Sequence, residues 1–275
     1  MSEKKYRLLA CDIDGTLLNK DKEISGATKK AFKRLADQDT QIVLVSARMP
    51  RAMRYLQKEL NILHMPSIAY NGGIKLKSSA KPDDYLSSDG LPVATASQIV
   101  DLLEGTDIHP GLYSDDDWVV TKKDGIVEKE IFNTKTEPEI AQVSETLKKW
   151  GHKGKVVHKI MLMGPDEHMQ QVHKRIEESS LSGFSIYESK SHLFEIISDN
   201  TSKDKALTSL CEFLDIPMEE TVAIGDNDND LGMIKVAGCG VSMGNGRDEL
   251  KKVADMVTDA NTEDGVATAL QKLFF

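Results

Sequence analysis

The stretch Leu8-Leu9-Ala10-Cys11-Asp12-Ile13-Asp14-Gly15-Thr16 decides the fold. Its first four residues are all apolar, which suits a strand buried on both faces, as in a parallel sheet. Two carboxylates follow at once, two residues apart. Gly15 then permits a backbone turn that a bulkier residue resists. The same pattern recurs twice. Ile42-Val43-Leu44-Val45 runs into Ser46-Ala47-Arg48, and Val222-Ala223-Ile224 runs into Gly225-Asp226-Asn227-Asp228-Asn229-Asp230. Ligands of open α/β sheets bind outside the carboxyl ends of the strands, so these three segments are expected to converge on one site.

Helical patterns separate the strands. One follows Ser25, a candidate N-cap, with Ala27, Ala31, Phe32 and Leu35 at helical spacing. Another begins near Pro50 and carries Met53, Leu56 and Leu60. A third follows Ser202, also a candidate cap, with Ala206, Leu207, Leu210 and Leu214; a last one follows Thr262. Further strands are expected at Ser67–Tyr70 and Gly240–Met243. This alternation reads as an α/β fold with a doubly wound parallel sheet.

The middle of the chain differs. Strand-like runs at Trp118–Thr121, Val156–Met163, Phe184–Tyr187 and His192–Ile197 lie among helical patterns at Ala94–Leu103, Pro138–Trp150 and Asp166–Glu178. Residues 1–84 and 199–275 are therefore read as one core, and 85–198 as an inserted α+β domain. Gly72-Gly73 and Asp199-Asn200-Thr201 read as the crossings.

Grouped carboxylates repel one another, so Asp12, Asp14, Asp226 and Asp230 together imply a hard cation with oxygen ligands, Mg²⁺ above all. Ser46 offers a hydroxyl at a strand end. Lys203, at the start of a helix, offers a fixed positive charge beside a positive helix terminus. Carboxylates, Mg²⁺, a hydroxyl and a lysine make a phosphoryl-transfer site. Asp115-Asp116-Asp117 reads instead as a solvated turn, Met161-Leu162-Met163 as strand core, and the loop Asn71-Gly72-Gly73 as a backbone turn. No histidine is given a catalytic role.

Asp12-Ile13-Asp14-Gly15-Thr16 resembles the first motif of the haloacid dehalogenase (HAD) superfamily. Ser46 stands at the second motif, Lys203 at the third, and Gly225-Asp226 with Asn229-Asp230 at the fourth. The order of the motifs and the size of the insertion resemble the Cof-type sugar phosphatases, whose large cap closes over the site and supplies specificity contacts. Asn71-Gly72-Gly73, Met243-Gly244-Asn245-Gly246 and Glu263-Asp264-Gly265-Val266-Ala267 support the likeness. Four residues in three stretches depart from the family pattern. Ser46-Ala47-Arg48 stands where Thr-Gly-Arg is common, Asp204 where glycine is common, and Asn200 where glycine is frequent.

The resemblance implies a Rossmann-like core and Mg²⁺-dependent hydrolysis of small organic phosphates, with sugar phosphates the expected class, through an aspartyl-phosphate. It implies Asp12 as nucleophile and Asp14 as general acid and then base, its pKa raised. Asp12, the Asp14 carbonyl and Asp226 would hold the metal, with Asp230 acting on it from farther out. Ser46, Lys203 and Arg48 would hold phosphate or substrate, and Asn229 would bind phosphate or orient Lys203. Two alternatives stay open: a phosphomutase of the phosphomannomutase kind, and a phosphoacceptor module without turnover.

The chain carries 35 Lys and Arg against 44 Asp and Glu, a net charge of −9. That balance disfavours nucleic acid and anionic membranes as partners. No apolar run approaches the ~20 residues of a span, and the polar Met1–Arg7 shows no signal peptide. With Cys11, Cys211 and Cys239 read as small buried hydrophobes, a reducing cytoplasmic setting is expected. The sequence sets no oligomeric state. Residues 85–198 hold 12 Lys and Arg against 19 Asp and Glu, so the inserted segment carries −7 of the net charge and the core −2.

Overall fold

The computed structural model describes residues 6–81, 84–190 and 192–275; Met1–Lys5, part of the polar leader read above, lies outside them. The chain forms two compact units, one of Met1–Ser87 with Ser202–Phe275, the other of Ser88–Thr201.

The first unit begins β1 (Leu8–Asp12), α1 (Gly26–Ala36), β2 (Gln41–Val45), α2 (Arg51–Glu59), β3 (Ser67–Ala69), β4 (Ile74–Leu76), with β5 (Tyr85–Ser88) reaching the boundary. Ser25 caps α1 by accepting from the Thr28 N–H. In the second unit α3 (Val93–Asp101), β6 (His109–Ser114), β7 (Asp117–Val120), α4 (Gly125–Thr134), β8 (Glu139–Ile140), α5 (Val143–His152), β9 (Lys159–Met163), α6 (Asp166–Glu177), β10 (Phe184–Lys190) and β11 (Leu193–Ser198) follow. The chain then completes the first unit with α7 (Lys203–Leu214), β12 (Thr221–Gly225), α8 (Leu231–Val236), β13 (Cys239–Ser242), α9 (Asp248–Val253), β14 (Met256–Val257) and α10 (Gly265–Phe274).

The core sheet has the order β14-β13-β12-β1-β2-β3-β4-β5. From β14 to β3 all neighbours are parallel, and β4 turns back antiparallel on β3. The chain winds outward from β1 through β2 to β3, then returns to the other side of β1 with β12. The direction of winding therefore reverses between β1 and β12, whose register sets Leu9 beside Val222 and Cys11 beside Ile224. Such a reversal opens a crevice at the carboxyl ends of the two strands, where Asp12 and Asp226 emerge. Every residue of β1 and β12 is buried. Ala206, Leu207, Leu210 and Cys211 of α7 pack on Leu8, Ala10, Val43, Val45 and Ala223 of the sheet. Each fully buried leucine there contributes roughly 1.5–3 kcal/mol.

Gly72-Gly73 is not a crossing between units. Gly72 has φ +106°, and a Cβ there would lie 2.5 Å from the Ser202 carbonyl oxygen within the first unit. The glycine thus allows a close backbone approach, and β4 follows in the same sheet.

The second unit holds a sheet of order β10-β11-β9-β6-β7-β8, antiparallel except for β7 with β8. Ala96 and Ile99 of α3, Leu147 and Trp150 of α5, and Met169 and Val172 of α6 pack with Leu112, Ile160, Leu162 and Phe194 of this sheet. Two carboxylates of the acidic run after β6 share one cation: Lys155 Nζ lies 3.1 Å from Asp115 and 2.7 Å from Asp117. Met161, Leu162 and Met163 are buried strand residues, and the three cysteines are buried. Among the described residues no helix is long and apolar enough to cross a membrane.

Candidate active site

Asp12 ends the central strand, 5% exposed. Lys203, the first residue of α7, is fully enclosed and stands 2.6 Å from Asp12 Oδ1 and 2.6 Å from Asp230 Oδ1. Asp230 Oδ2 accepts the backbone N–H groups of Asp226 and Asn227, each at 3.0 Å. Both Asp230 oxygens are therefore occupied: one orients the lysine, the other shapes the loop after β12. Asp226 Oδ1 accepts from the Thr16 hydroxyl at 2.9 Å, which ties that loop to the one after β1. Gly15 makes the approach possible. Its φ is +90°, and a Cβ would fall 2.3 Å from Asp226 Oδ2.

Oxygens of Asp12, Asp226 and Asp230 lie within 4.8 Å of one another. Three carboxylates face one ammonium, a charge of −2 in a nearly closed pocket. Burial raises the Asp12 carboxyl, and the Asp230 and Asp226 charges raise it further against the pull of Lys203. Burial, then Asp230, brings Asp226 up to about 6. Lys203 is held charged, because Asp12 and Asp230 outweigh its desolvation. A hard, oxygen-only donor set with excess negative charge fits a divalent cation such as Mg²⁺.

Asp14 is placed differently from the sequence expectation. Arg48 grips it through Nε and Nη2, at 2.6 and 2.8 Å, and Lys22 Nζ reaches Oδ1 at 2.7 Å. The carboxyl is 41% exposed, and the atoms crowding it work to raise it, but these two cations hold it at about 2. The expected raised pKa is therefore not met here, and Asp14 is a carboxylate. Arg48 is buried, and its Nη1 also donates to the Ala52 carbonyl and the Tyr55 hydroxyl.

Ser46 is buried at the end of β2, and its Oγ accepts the Arg48 N–H at 3.2 Å. That leaves its own proton to donate. Asn229 does not reach for Lys203; its Nδ2 donates to Asn71 Oδ1 at 3.0 Å. Asn71 thus makes a side-chain contact as well as a turn, with φ +53°. Ser202 stands at the N-cap of α7 without capping it, and its Oγ is buried with no hydrogen-bond partner.

Several participants escaped the sequence reading. Thr16 had a signal, since it closes the first motif. Lys22, Tyr55 and Asn261 had none. Asn245 Nδ2 donates to the Gly15 carbonyl at 2.9 Å and Asn261 Nδ2 to that of Leu18 at 2.7 Å. These contacts join segments more than 200 residues apart.

The family model for haloacid dehalogenase-like hydrolases matches residues 9–270. The chain is 31% identical to the 5-amino-6-(5-phospho-D-ribitylamino)uracil phosphatase YitU of Bacillus subtilis (strain 168), with 99% of each chain covered. It is also 31% identical to the pyridoxal phosphate phosphatase YbhA of Escherichia coli (strain K12), over 95% of this chain and 96% of that one. A solved haloacid dehalogenase-like hydrolase from Bacteroides thetaiotaomicron is 29% identical with a TM-score of 0.88, covering 98% of this chain and 100% of its own. With the carboxylates and lysine gathered at the strand ends and the match running nearly end to end, the chain belongs to the haloacid dehalogenase-like hydrolases and is a phosphatase.

Proposed function

We propose that the chain is a Mg²⁺-dependent phosphomonoesterase acting on small organic phosphates, sugar phosphates foremost, through an aspartyl-phosphate on Asp12. The observation that carries this reading is the buried Asp12 carboxylate, aligned by Lys203 at 2.6 Å at the point where the sheet reverses. An Asp12 oxygen attacks phosphorus in line, and the bond to the leaving oxygen breaks. Lys203 and the Ser46 hydroxyl hold the phosphate oxygens. Asp14 protonates the leaving oxygen, then takes a proton from the water that attacks the acyl phosphate and frees Asp12. The ionised Asp14 gripped by Arg48 is the form that second step needs; the first step requires the grip to open so that Asp14 can take up a proton. The Asp12 and Asp226 carboxylates and the Asp14 main-chain carbonyl would hold Mg²⁺, whose charge would offset the repulsion between nucleophile and phosphate. Asp230 acts through Lys203 and the Asp226 backbone.

The unit Ser88–Thr201 is read as the cap that sets specificity. Its charge of −8 favours leaving groups that are neutral or cationic, and disfavours polyphosphates. The two relatives above are named for phosphomonoesters with small polar leaving groups, which agrees with that class.

A panel of phosphorylated metabolites ranked by kcat/KM, with and without Mg²⁺, tests the reading. Asp12→Asn is expected to abolish turnover and keep the fold. Near-normal activity of that variant would sink the nucleophile assignment, and an isomeric sugar phosphate in place of free phosphate would indicate a mutase. Preferential turnover of nucleoside triphosphates would refute the charge argument.

A further inference from the structure

A cation just beyond the catalytic loop has no part in the mechanism above. Asn19 to Glu23 form a tight reversal, with the Asn19 N–H donating to the Glu23 carbonyl at 3.0 Å and the Lys22 N–H to that of Asn19 at 3.1 Å. Asn19 Oδ1 brackets the turn, accepting from the N–H groups of Asp21 at 2.9 Å and Glu23 at 3.0 Å. Lys22 takes φ +61°, a left-handed conformation that disfavours residues with a Cβ. The root of the segment is fastened by Asn245 on Gly15 and Asn261 on Leu18. From this fixed turn, Lys22 Nζ reaches Asp14 Oδ1 at 2.7 Å.

The two cations on Asp14 differ in setting. Arg48 is buried, its side chain 5% exposed, and is held by Ala52 and Tyr55 as well. Lys22 is 25% exposed. Its ammonium has three N–H donors, and Asp14 takes one. In the reading above, Asp14 exchanges a proton with the ester oxygen, so that oxygen must come within hydrogen-bond reach of the carboxylate, roughly 3 Å. Atoms next to the ester oxygen then fall within reach of Lys22.

We propose that Lys22 is a specificity-determining residue, donating a hydrogen bond to a hydroxyl on the leaving group beside the ester carbon. It thereby favours phosphates of polyhydroxylated small molecules over alkyl or aryl phosphates that lack such a hydroxyl. The inference rests on the role given to Asp14 under the proposed function.

The experiment is the ratio of kcat/KM for glycerol 3-phosphate over that for propyl phosphate, an alkyl ester that leans on Asp14 to a similar degree but has no such acceptor. A hydrogen bond to a charged group corresponds to about tenfold or more. Lys22→Met is expected to lower the ratio by at least about tenfold, and Lys22→Arg to keep it within about threefold of the unaltered enzyme. Equal slowing on both substrates overturns the proposal, since Lys22 then serves Asp14 alone. An unmoved ratio overturns it too, as does a Lys22→Arg enzyme that loses the ratio as fully as Lys22→Met. Failure of the unaltered enzyme to hydrolyse either phosphate overturns the substrate reading beneath it, a result visible before any variant is made.

Discussion

Lys203 Nζ stands 2.6 Å from Asp230 Oδ1 in complete burial, and this contact points the ammonium at Asp12. Asp230→Asn keeps an oxygen for the Asp226 and Asn227 N–H groups but removes the charge. Breaking a buried pair from one side costs about 3–5 kcal/mol, and the low end is expected because Lys203 retains Asp12. Losing one preorganised charge also costs about a hundredfold in kcat. Steady-state kinetics beside urea unfolding check both.

Gly15→Ala meets two obstacles at once, φ +90° and an Asp226 oxygen 2.3 Å from the new Cβ. Either the loop or Asp226 must move. Mg²⁺ affinity, read as the metal concentration giving half-maximal activity, is expected to weaken by about tenfold or more, with a stability loss above about 1 kcal/mol.

The acid limit of the inserted unit is set in part by His158. Its Nδ1 accepts the Asp115 N–H at 3.1 Å, so Nε2 carries the proton and donates to Ser88 Oγ at 2.9 Å. Burial, with Lys155 nearby, lowers its pKa to about 4 despite the Asp115 charge. Between about 6.5 and 4 the unfolded chain binds a proton that the folded chain does not. Stability from this group is full above about 6.5 and is lost as pH falls through the window, by up to about 3 kcal/mol. Both tryptophans, Trp118 and Trp150, lie in this unit, so tryptophan fluorescence in urea follows it directly. His158→Gln, which reproduces one donor and one acceptor, is expected to flatten the profile.

Asp226 works in the opposite direction. Its carboxyl sits at about 6 through burial and Asp230, so the folded chain binds more protons than the unfolded chain between about 4 and 6. Stability is lost as pH rises through that window. A divalent cation relieves the same repulsion and competes with the proton. The rise in Tm on adding Mg²⁺ is therefore expected to be larger at pH 7.5 than at pH 5, and Asp226→Asn to shrink the difference. Calorimetry at both pH values measures it.

The core was legible because its strands are unbroken apolar runs that stop at reactive residues; β1, β2 and β12 sit where Leu8-Leu9-Ala10-Cys11, Ile42-Val43-Leu44-Val45 and Val222-Ala223-Ile224 imply. The second unit was less so. β6 escaped because Pro110 and Gly111 interrupt its pattern, yet it lies between β9 and β7 and is wholly buried. α4 escaped because only Val127 and Thr134 of its residues are buried, too few for a periodic stripe. Pro138–Trp150 is not one helix: β8 precedes α5, which starts only at Val143. In the site, the clustered aspartates announced themselves, whereas the Asp14 partners did not. Arg48 and Lys22 lie 34 and 8 residues from Asp14, and only the folded turn shows that both close on it.

The reversal of winding beside β1 has a consequence for the order of synthesis. β1 and β2 are near in sequence and can pair while the chain is short, but α7 and β12 emerge about 190 and about 210 residues after Asp12. Non-local pairing of this kind is slow and comes late in folding. A nascent chain thus carries its aspartate long before it carries the lysine and second carboxylate that make the aspartate useful. The growing protein stays chemically silent until Lys203, Asp226 and Asp230 have left the ribosome.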